Sequence, residues 1–230
     1  MCGRYVLDAS LDQIAKRFGA TPAEGGWEWE PRFNVCPTHV VPAIRFDDEG
    51  KRELAPMRWG LHPHWSKDAP GESKYGPLFN ARSETAGSKP SFRTPWKRRR
   101  ALIPATHWYE WTGEQGGKIP WCIKPEGASE MEHGIFAFAG LWDRWRVDEG
   151  IELLSCTILT TEAQGPLAQL HHRMPVQLPE EYWDDWLDPE ANPDMLIETQ
   201  DDGEDLIFWE VDRAVNSNRS RGAELIAPVA

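Results

Sequence analysis

Most apolar runs in the chain are short, rich in branched residues and bounded by glycine or proline, which is typical of strands. Such runs predict strands at 40–46, 53–59, 100–103, 109–112, 121–124, 135–142, 151–160 and 206–211. Gly116 and Gly117 stand between two of these runs and predict a hairpin turn. Helical spacing of apolar residues is rarer. It predicts helices at 8–18, with Ser10 as the N-cap, and at 162–170, 179–187 and 193–199.

The order of these elements indicates the fold class. Strands outnumber helices and do not alternate with them, so the βαβ units of a parallel sheet are not expected. We predict an α+β fold with a mainly antiparallel, barrel-like curled sheet and a few short helices. The chain shows no internal repeat and no low-complexity linker, and we expect residues 1–230 to form a single domain.

The charge distribution restricts the kind of partner. The net charge of −12 argues against broad, sequence-independent coating of nucleic acid. A basic run at 97–100 is compatible with a local DNA-binding face, although a solvated edge explains it equally well. Thirteen tryptophans are a marked excess. Most must lie in the core, and a few exposed ones could stack on bases.

The apolar runs and cysteines indicate the compartment. No apolar run approaches the ~20 residues that span a bilayer, and the N-terminal residues lack a signal-peptide pattern. The four cysteines have neither CxxC nor zinc-ligand spacing: Cys2, Cys36, Cys122 and Cys156. We therefore expect free thiols in a cytoplasmic monomer, nucleoid-associated when bound to DNA, with no membrane partner, metal or cofactor.

Cys2 is the most informative residue for chemistry. Removal of Met1, which we expect because cysteine is small, would leave a thiol and a free α-amine on adjacent carbons. The α-amine has a pKa of roughly 7.7–8, so part of it is neutral at pH 7. The pair could convert an aldehyde through a Schiff base into a thiazolidine, or the thiol could attack an acyl group with the amine as base. Alternatively, Cys2 is only a small residue that leads into a first strand.

Four further clusters could carry chemistry. Asn80 and Arg82 offer hydrogen bonds and a phosphate ligand, although a polar turn would explain them. Glu110 stands between aromatic residues in a strand-like run, where burial would raise its pKa and suit acid–base work. Two threonines at 160–161 end an apolar strand. His171 could move protons beside Arg173, and adjacent histidines rarely bind one metal ion.

These clusters belong to a set of seven motifs that runs in order along the chain. The motifs are Cys-Gly-Arg at 2–4, Phe-Asn-Val-Cys-Pro-Thr at 33–38, Arg-Trp-Gly-Leu at 58–61, Asn-Ala-Arg-Ser-Glu-Thr at 80–85, Trp-Tyr-Glu-Trp at 108–111, Thr-Thr at 160–161 and His-His-Arg-Met-Pro-Val at 171–176. The set resembles the SOS response-associated peptidase (SRAP) family. The resemblance extends from Cys2 to about Asn216.

The resemblance implies a function and a set of site residues. Members recognise abasic sites in single-stranded DNA and crosslink to them through a thiazolidine at the N-terminal cysteine. By motif, the implied catalytic residues are Cys2, Asn80, Glu110 and His171, with Thr160 in support. The implied DNA-binding residues are Arg4, Asn34, Pro37, Trp65, Arg82, Trp111 and Arg173. Two further activities are implied. One is strand cleavage by β-elimination (AP lyase), and the other is self-processing as a peptidase.

Two alternatives from other functional classes are open. An N-terminal-nucleophile amidohydrolase or peptidase would also begin with cysteine and use the α-amine as base. A non-covalent single-strand DNA-binding module would need only arginine and tryptophan. Full function in a Cys2→Ala variant would favour the binding module.

Overall fold

Short helices surround two sheets in the computed structural model, which describes residues 2–72, 76–114, 117–146, 150 and 152–229. The strands of this part of the chain are β1 (Tyr5–Leu7), β2 (Thr21–Pro22), β3 (Arg32–Val35), β4 (Val40–Phe46), β5 (Arg52–Trp59), β6 (Asn80–Arg82), β7 (Arg100–Ala105), β8 (His107–Thr112), β9 (Ile119–Pro125), β10 (Phe136–Arg146), β11 (Glu152–Glu162), β12 (Arg173–Pro175) and β13 (Leu206–Glu210). The α-helices are α1 (Leu11–Phe18), α2 (Ser83–Ala86), α3 (Arg93–Arg98), α4 (Trp183–Leu187) and α5 (Pro193–Ile197). Short 3-10 helices lie at Glu126–Glu130, Glu132–Gly134, Gly165–Gln169, Glu180–Tyr182, Arg213–Asn216 and Ala223–Ile226.

Five strands of the larger sheet close into a barrel. Antiparallel pairing joins β5, β4, β7, β10 and β11 in that order. A parallel contact between β11 and β5 closes the ring where Ser155 pairs with Arg58 and Cys156 with Trp59. Strand β7 is buried at every residue, and β10 and β11 are buried over most of their length.

Strand β11 is longer than the barrel needs. Beyond the ring, one of its edges pairs with β6 and the other with β12. Thr160 therefore lies between Arg82 on one neighbouring strand and Pro175 on the other. The extension brings three of the sequence motifs together at one end of the barrel.

The second sheet is antiparallel and has the order β13, β9, β8, β1, β3. The chain passes from the barrel into this sheet at Thr106, whose amide donates to the Val6 carbonyl at 2.8 Å. Aromatic rings pack between the sheets, with Tyr5 at 5.2 Å from Trp59 between ring centroids. Strand β1, which follows Cys2, is thereby anchored against the barrel.

The fold class predicted from the sequence is confirmed, including the barrel-like curled sheet and the few short helices. Helix α1 begins after Ser10, whose side chain and that of Gln13 cap each other's backbone amides. It ends at Gly19, which adopts a left-handed φ of 56°. No helix in the described ranges is long and apolar enough to cross a membrane.

One predicted element is wrong, and one turn cannot be assessed. The helix expected at 162–170 is absent, because β11 continues to Glu162 through pairing with β12 and only a 3-10 turn, Gly165–Gln169, follows. Strands β8 and β9 pair as a hairpin, as predicted. The turn residue Gly116 lies outside the described residues, and so does Ile151, the predicted first residue of β11.

Candidate active site

Cys2 lies immediately before β1 and next to β8. The Tyr109 amide donates to the Arg4 carbonyl at 3.0 Å, and extending this antiparallel register brings Cys2 beside Glu110 and Trp111. The Cys2 side chain is fully buried. Burial raises the pKa of its thiol well above the ordinary value, and the charge of Glu110 raises it further. The thiol is thus protonated at neutral pH, and its reaction requires a base.

Glu110 supplies a carboxyl with the properties of such a base. Its side chain is 2% exposed on β8, and this burial raises its pKa from 4.5 to about 7. The positive charge at the amino terminus opposes that shift, as does the charge of Lys118. Near neutral pH the carboxyl is therefore present in both protonation states, so that it can accept a proton in one step and donate it in the next.

His171 is the imidazole of the site. It is half-buried just before β12, and desolvation lowers its pKa to about 4. The charge of the amino terminus lowers the pKa further, which places the imidazole in the same electrostatic neighbourhood as Glu110. His171 Nδ1 lies 3.0 Å from both the amide nitrogen and the carbonyl oxygen of Arg173, and the lowered pKa leaves the ring neutral at pH 7.

Asn80 and Thr160 lie on the adjoining strands β6 and β11. Asn80 Nδ2 donates to the Phe79 carbonyl at 3.0 Å, and its buried Oδ1 accepts no hydrogen bond within the described part of the chain. Trp59, which contacts Tyr5 of β1, also donates from Nε1 to the Phe79 carbonyl at 2.8 Å. This chain of contacts links Asn80 to the strand that carries Cys2.

Arg173 is buried and bound by the protein itself. Its guanidinium forms two hydrogen bonds with the Glu84 carboxylate, at 2.6 and 2.9 Å, and donates to the Thr160 carbonyl at 2.5 Å. This paired geometry is the strongest form of arginine–carboxylate contact. Arg173 thus ties β12 to α2 and β11, and a phosphate contact by Arg173 remains a prediction.

Arg4 and Asn34 hold the segment at 215–220 against the second sheet. Arg4 Nη1 donates to the Asn34 Oδ1 at 2.9 Å and to the Val215 carbonyl at 2.7 Å. Asn34 is buried, and its Nδ2 donates to the carbonyls of Ser217 and Ser220. In this structure both residues order a segment beside the site. Their predicted contacts with DNA stay predictions.

The remaining predicted DNA-binding residues are more exposed. Arg82 is exposed at the end of β6, whereas Trp111 is partly buried and donates from Nε1 to Asn216 Oδ1 at 2.7 Å. Trp65 is 54% exposed in the loop after β5, and its Nε1 lies 3.4 Å from the Pro90 carbonyl oxygen. Pro37 is half-buried in the turn that follows β3.

The turn after Pro37 is strained. Thr38 has a φ of 77°, a left-handed conformation that a β-branched residue seldom adopts. A hydrogen bond of 2.7 Å from the Thr38 amide to the Trp59 carbonyl holds it there. Backbone strain of this kind concentrates at functional sites, which fits the position of the turn between β3 and the barrel.

Three of the four residues in the basic run at 97–100 have a partner within the protein. Arg98 pairs with Glu190, and Arg99 pairs with the buried Asp143. Arg100 is 1% exposed and donates to main-chain carbonyls of α3 and the α4 region. We call the surrounding group the arginine cluster: Arg45, Arg98, Arg99, Arg100 and Arg144. The solvated-edge interpretation is therefore wrong for Arg100, and the cluster's cations are engaged within the fold.

Two site residues escaped the sequence analysis. Glu84, the partner of Arg173, was visible in the motif at 80–85 but looked like part of a polar turn. Lys118 lies beyond the Gly-Gly turn, and its charge reaches both Glu110 and His171. The hairpin register, with Thr112 paired to Ile119, is the signal that could have placed it beside the site. Within the described residues, no three His, Cys, Asp or Glu side chains gather as a metal site.

Known proteins resemble this chain in sequence and in fold. The family described as "SOS response associated peptidase (SRAP)" matches residues 1–218. "Abasic site processing protein YoaM" of Bacillus subtilis (strain 168) is 37% identical over 231 residues, which cover 98% of this chain and 97% of YoaM. "Abasic site processing protein HMCES" of Gallus gallus is 33% identical and aligns with 100% of this chain and 78% of its own length. A crystal structure of a Bacteroides thetaiotaomicron protein matches at a TM-score of 0.83 and 25% identity over 100% of both chains.

Proposed function

Because the chain belongs to the SOS response associated peptidase (SRAP) family, we propose that it processes abasic sites in single-stranded DNA by crosslinking to them through Cys2. One observation carries the proposal. Cys2, a carboxyl whose pKa is about 7 and a neutral imidazole share one electrostatic neighbourhood at the amino terminus. Amine, thiol, acid and base are the groups that aldehyde capture requires.

The proposed reaction begins with the α-amine of Cys2, which must be released by removal of Met1. An abasic sugar in its ring-opened form presents an aldehyde. The neutral amine adds to the aldehyde carbon to give a carbinolamine, and protonated Glu110 donates a proton to the departing hydroxyl. One water leaves and a Schiff base remains.

Ring closure uses the thiol. The Cys2 S–H adds across the C=N bond, so that a C–S bond forms and the proton reaches the nitrogen. Burial keeps the thiol protonated, and the Glu110 carboxylate is the group beside it that can relay this proton. The product is a thiazolidine, and the net reaction releases one water.

His171 and Asn80 would act on the sugar. A neutral His171 can accept a proton from a sugar hydroxyl during ring opening, because its pKa of about 4 leaves it unprotonated at neutral pH. The buried Asn80 Oδ1 can accept a hydrogen bond from the Cys2 amine or the sugar. If the thiol does not close the ring, loss of a proton next to the imine carbon would eliminate the 3′ phosphate, which is AP-lyase cleavage.

The strand would lie over exposed groups around this site. We assign phosphate contacts to Arg82 and Arg4, and base or sugar contacts to Trp111, Trp65 and Pro37. Arg173, Asn34 and Thr160 would serve by holding Glu84, the 215–220 segment and β11 in place. Self-processing at Met1 would use the same thiol.

A single-stranded oligonucleotide with one abasic site tests the proposal. Protein confirmed by mass to lack Met1 is mixed with it, and a denaturing gel is combined with intact-mass measurement. We expect an adduct at protein plus DNA minus one water that resists heating. Cys36→Ala is the matched thiol control and should form the same adduct.

Cys2→Ala separates the two chemical outcomes, because it keeps the α-amine and lacks the thiol. We expect it to lose the lasting adduct and to show strand cleavage instead. Glu110→Gln should slow both outcomes. Absence of adduct and of cleavage with the wild-type protein lacking Met1 would overturn the proposal.

A further inference from the structure

Lys118 lies beside the site on the β8–β9 hairpin. It directly precedes β9, and the neighbouring pair of Thr112 and Ile119 places it at the turn end of the hairpin. Burial raises the pKa of Glu110 and lowers that of His171, and the Lys118 charge lowers both. The ammonium is therefore close enough to act on both groups, although its side chain is exposed to solvent.

Lys118 lines a surface cleft of about 410 Å³, which we call the Lys118 cleft. Its lining residues are Arg4, Trp111, Lys118, Arg213 and Asn216. Three of the five are cations and one is an indole. No carboxylate of the described residues lines the cleft. It is thus a cationic opening on a protein whose net charge is −12.

Hydrogen bonds build the walls of the cleft. Trp111 Nε1 donates to Asn216 Oδ1 at 2.7 Å, which fixes the indole by its edge. Arg4 donates to the Val215 carbonyl at 2.7 Å and to the Asn216 carbonyl at 3.3 Å, which fixes the segment that carries Arg213. An indole held in this way retains a ring face for stacking.

These features match the chemistry of a nucleotide. Lysine and arginine neutralise phosphodiester charge, and an indole stacks on any base without regard to sequence. Because the overall charge repels DNA, the local cations must supply the attraction. The cleft adjoins Glu110 and lies on the same hairpin, so a nucleotide in it would neighbour the reacting sugar.

We propose that the Lys118 cleft binds the nucleotide next to the abasic site, with Lys118 and Arg213 at its phosphates and Trp111 against its base. The proposal rests on the proposed function, since it takes single-stranded DNA as the ligand. It adds two phosphate-binding residues that none of the seven motifs contains.

Binding without chemistry provides the test. The probe is a fluorescent single-stranded oligonucleotide with a tetrahydrofuran abasic analogue, which has no aldehyde. Fluorescence anisotropy gives the Kd of wild type, Lys118→Gln and Arg213→Gln at several salt concentrations. Both residues are exposed, so both variants should fold. Lys97→Gln, an exposed lysine outside the cleft, is the control of equal charge change.

We expect Lys118→Gln and Arg213→Gln each to weaken binding several-fold and to reduce the slope of log affinity against log salt by about 0.7, the value for one phosphate contact on a single strand. Trp111→Ala should weaken binding by about tenfold with the salt slope unchanged, because stacking is uncharged. Lys97→Gln should match wild type. Equal Kd and slope for Lys118→Gln, Arg213→Gln and Lys97→Gln would overturn the proposal.

The natural abasic oligonucleotide separates this proposal from the crosslinking chemistry. If the wild-type protein forms the adduct but the cleft variants bind like Lys97→Gln, only the cleft proposal is overturned. If the cleft variants bind more weakly as expected but the wild-type protein forms no adduct, the crosslinking proposal is overturned and the cleft proposal stands. Failure of wild type to bind the analogue would overturn both.

Discussion

Two cationic regions of the molecule differ in what balances their charge. In the arginine cluster, Arg45 lies 2.6 Å from Glu53, Arg99 pairs with Asp143, and Arg100 donates to main-chain carbonyls. In the Lys118 cleft the cations face an open space that no described carboxylate lines. The first region has more arginines and the denser basic sequence, yet only the second offers unbalanced charge to a ligand.

This difference shows what a charged residue contributes in each place. A paired or hydrogen-bonded cation holds elements together, and its removal leaves buried polar groups without partners. Poorly solvated charge, such as that of the buried Glu110, reduces stability and is available for chemistry. Removal of the buried Arg100 of the arginine cluster should therefore lower stability, whereas neutralisation of the buried Glu110, beside the Lys118 cleft, should raise it at high pH.

The largest effect is expected in the arginine cluster at Arg100. Arg100→Met would leave the carbonyls of Trp96, Lys97 and Ala191 without their donor in a buried place. We expect a loss of about 3–5 kcal/mol in the free energy of unfolding. Urea unfolding measures it, with the exposed Lys97→Met as control. A loss below about 1 kcal/mol would show that the cluster is not structural.

Substitution of Glu110 is expected to raise the stability of the protein, in contrast to substitution of Arg100. The folded protein keeps the Glu110 proton up to a pKa of about 7, whereas the unfolded chain releases it near 4.5, so this residue makes stability fall as pH rises between those values. Glu110→Gln removes the effect. Between pH 4 and pH 8, the free energy of unfolding of Glu110→Gln should rise by about 3 kcal/mol relative to that of the wild type.

Chemical unfolding at several pH values measures that gain. Glu114→Gln, an exposed carboxyl on the same hairpin, is the control and should follow wild type across the range. A pH-independent difference between Glu110→Gln and wild type would contradict the raised pKa. It would also remove the contrast in stability between Glu110 and Arg100.

A smaller gain in stability is expected when glycine replaces Thr38 in the strained turn near the site. Thr38→Gly relieves the left-handed φ of 77°, whereas Thr38→Ala keeps it. We expect the glycine variant to be more stable than the alanine variant by about 1 kcal/mol. Thermal unfolding of the pair tests this. An alanine variant of equal or greater stability would show that the turn carries no strain.

The smallest effect is expected at the surface of the arginine cluster. Arg98 and Glu190 are both largely exposed, so their ion pair contributes less than about 1 kcal/mol. Arg98→Gln should leave unfolding, DNA affinity and the salt slope close to wild type. A salt slope reduced as much as that of Lys118→Gln would erase the distinction between the two cationic regions.

The sequence was sufficient to predict those elements whose conformation depends on neighbouring residues. Short apolar runs located β4, β5 and β10, and Ser10 marked the start of α1, because burial and capping act over a few residues. The helix expected at 162–170 failed because antiparallel pairing with β12 decided the conformation of its first residue, Glu162. The solvated-edge interpretation of Arg100 failed because Arg100 donates to the Trp186 carbonyl, 86 residues away.

Residue types and motif order were enough to assign the chain to a family and to propose Cys2, Asn80, Glu110 and His171 as its site residues. A thiol and an α-amine on one residue can react with an aldehyde whatever the fold that carries them. Only the tertiary structure decided that Glu110 is buried enough to raise its pKa to about 7 and that Arg173 is held by Glu84. It also decided that Lys118 lines a cleft in which none of the described lining residues is an acid. Burial and pairing depend on strands that are distant in the chain, because desolvation and Coulomb energies follow distance in space.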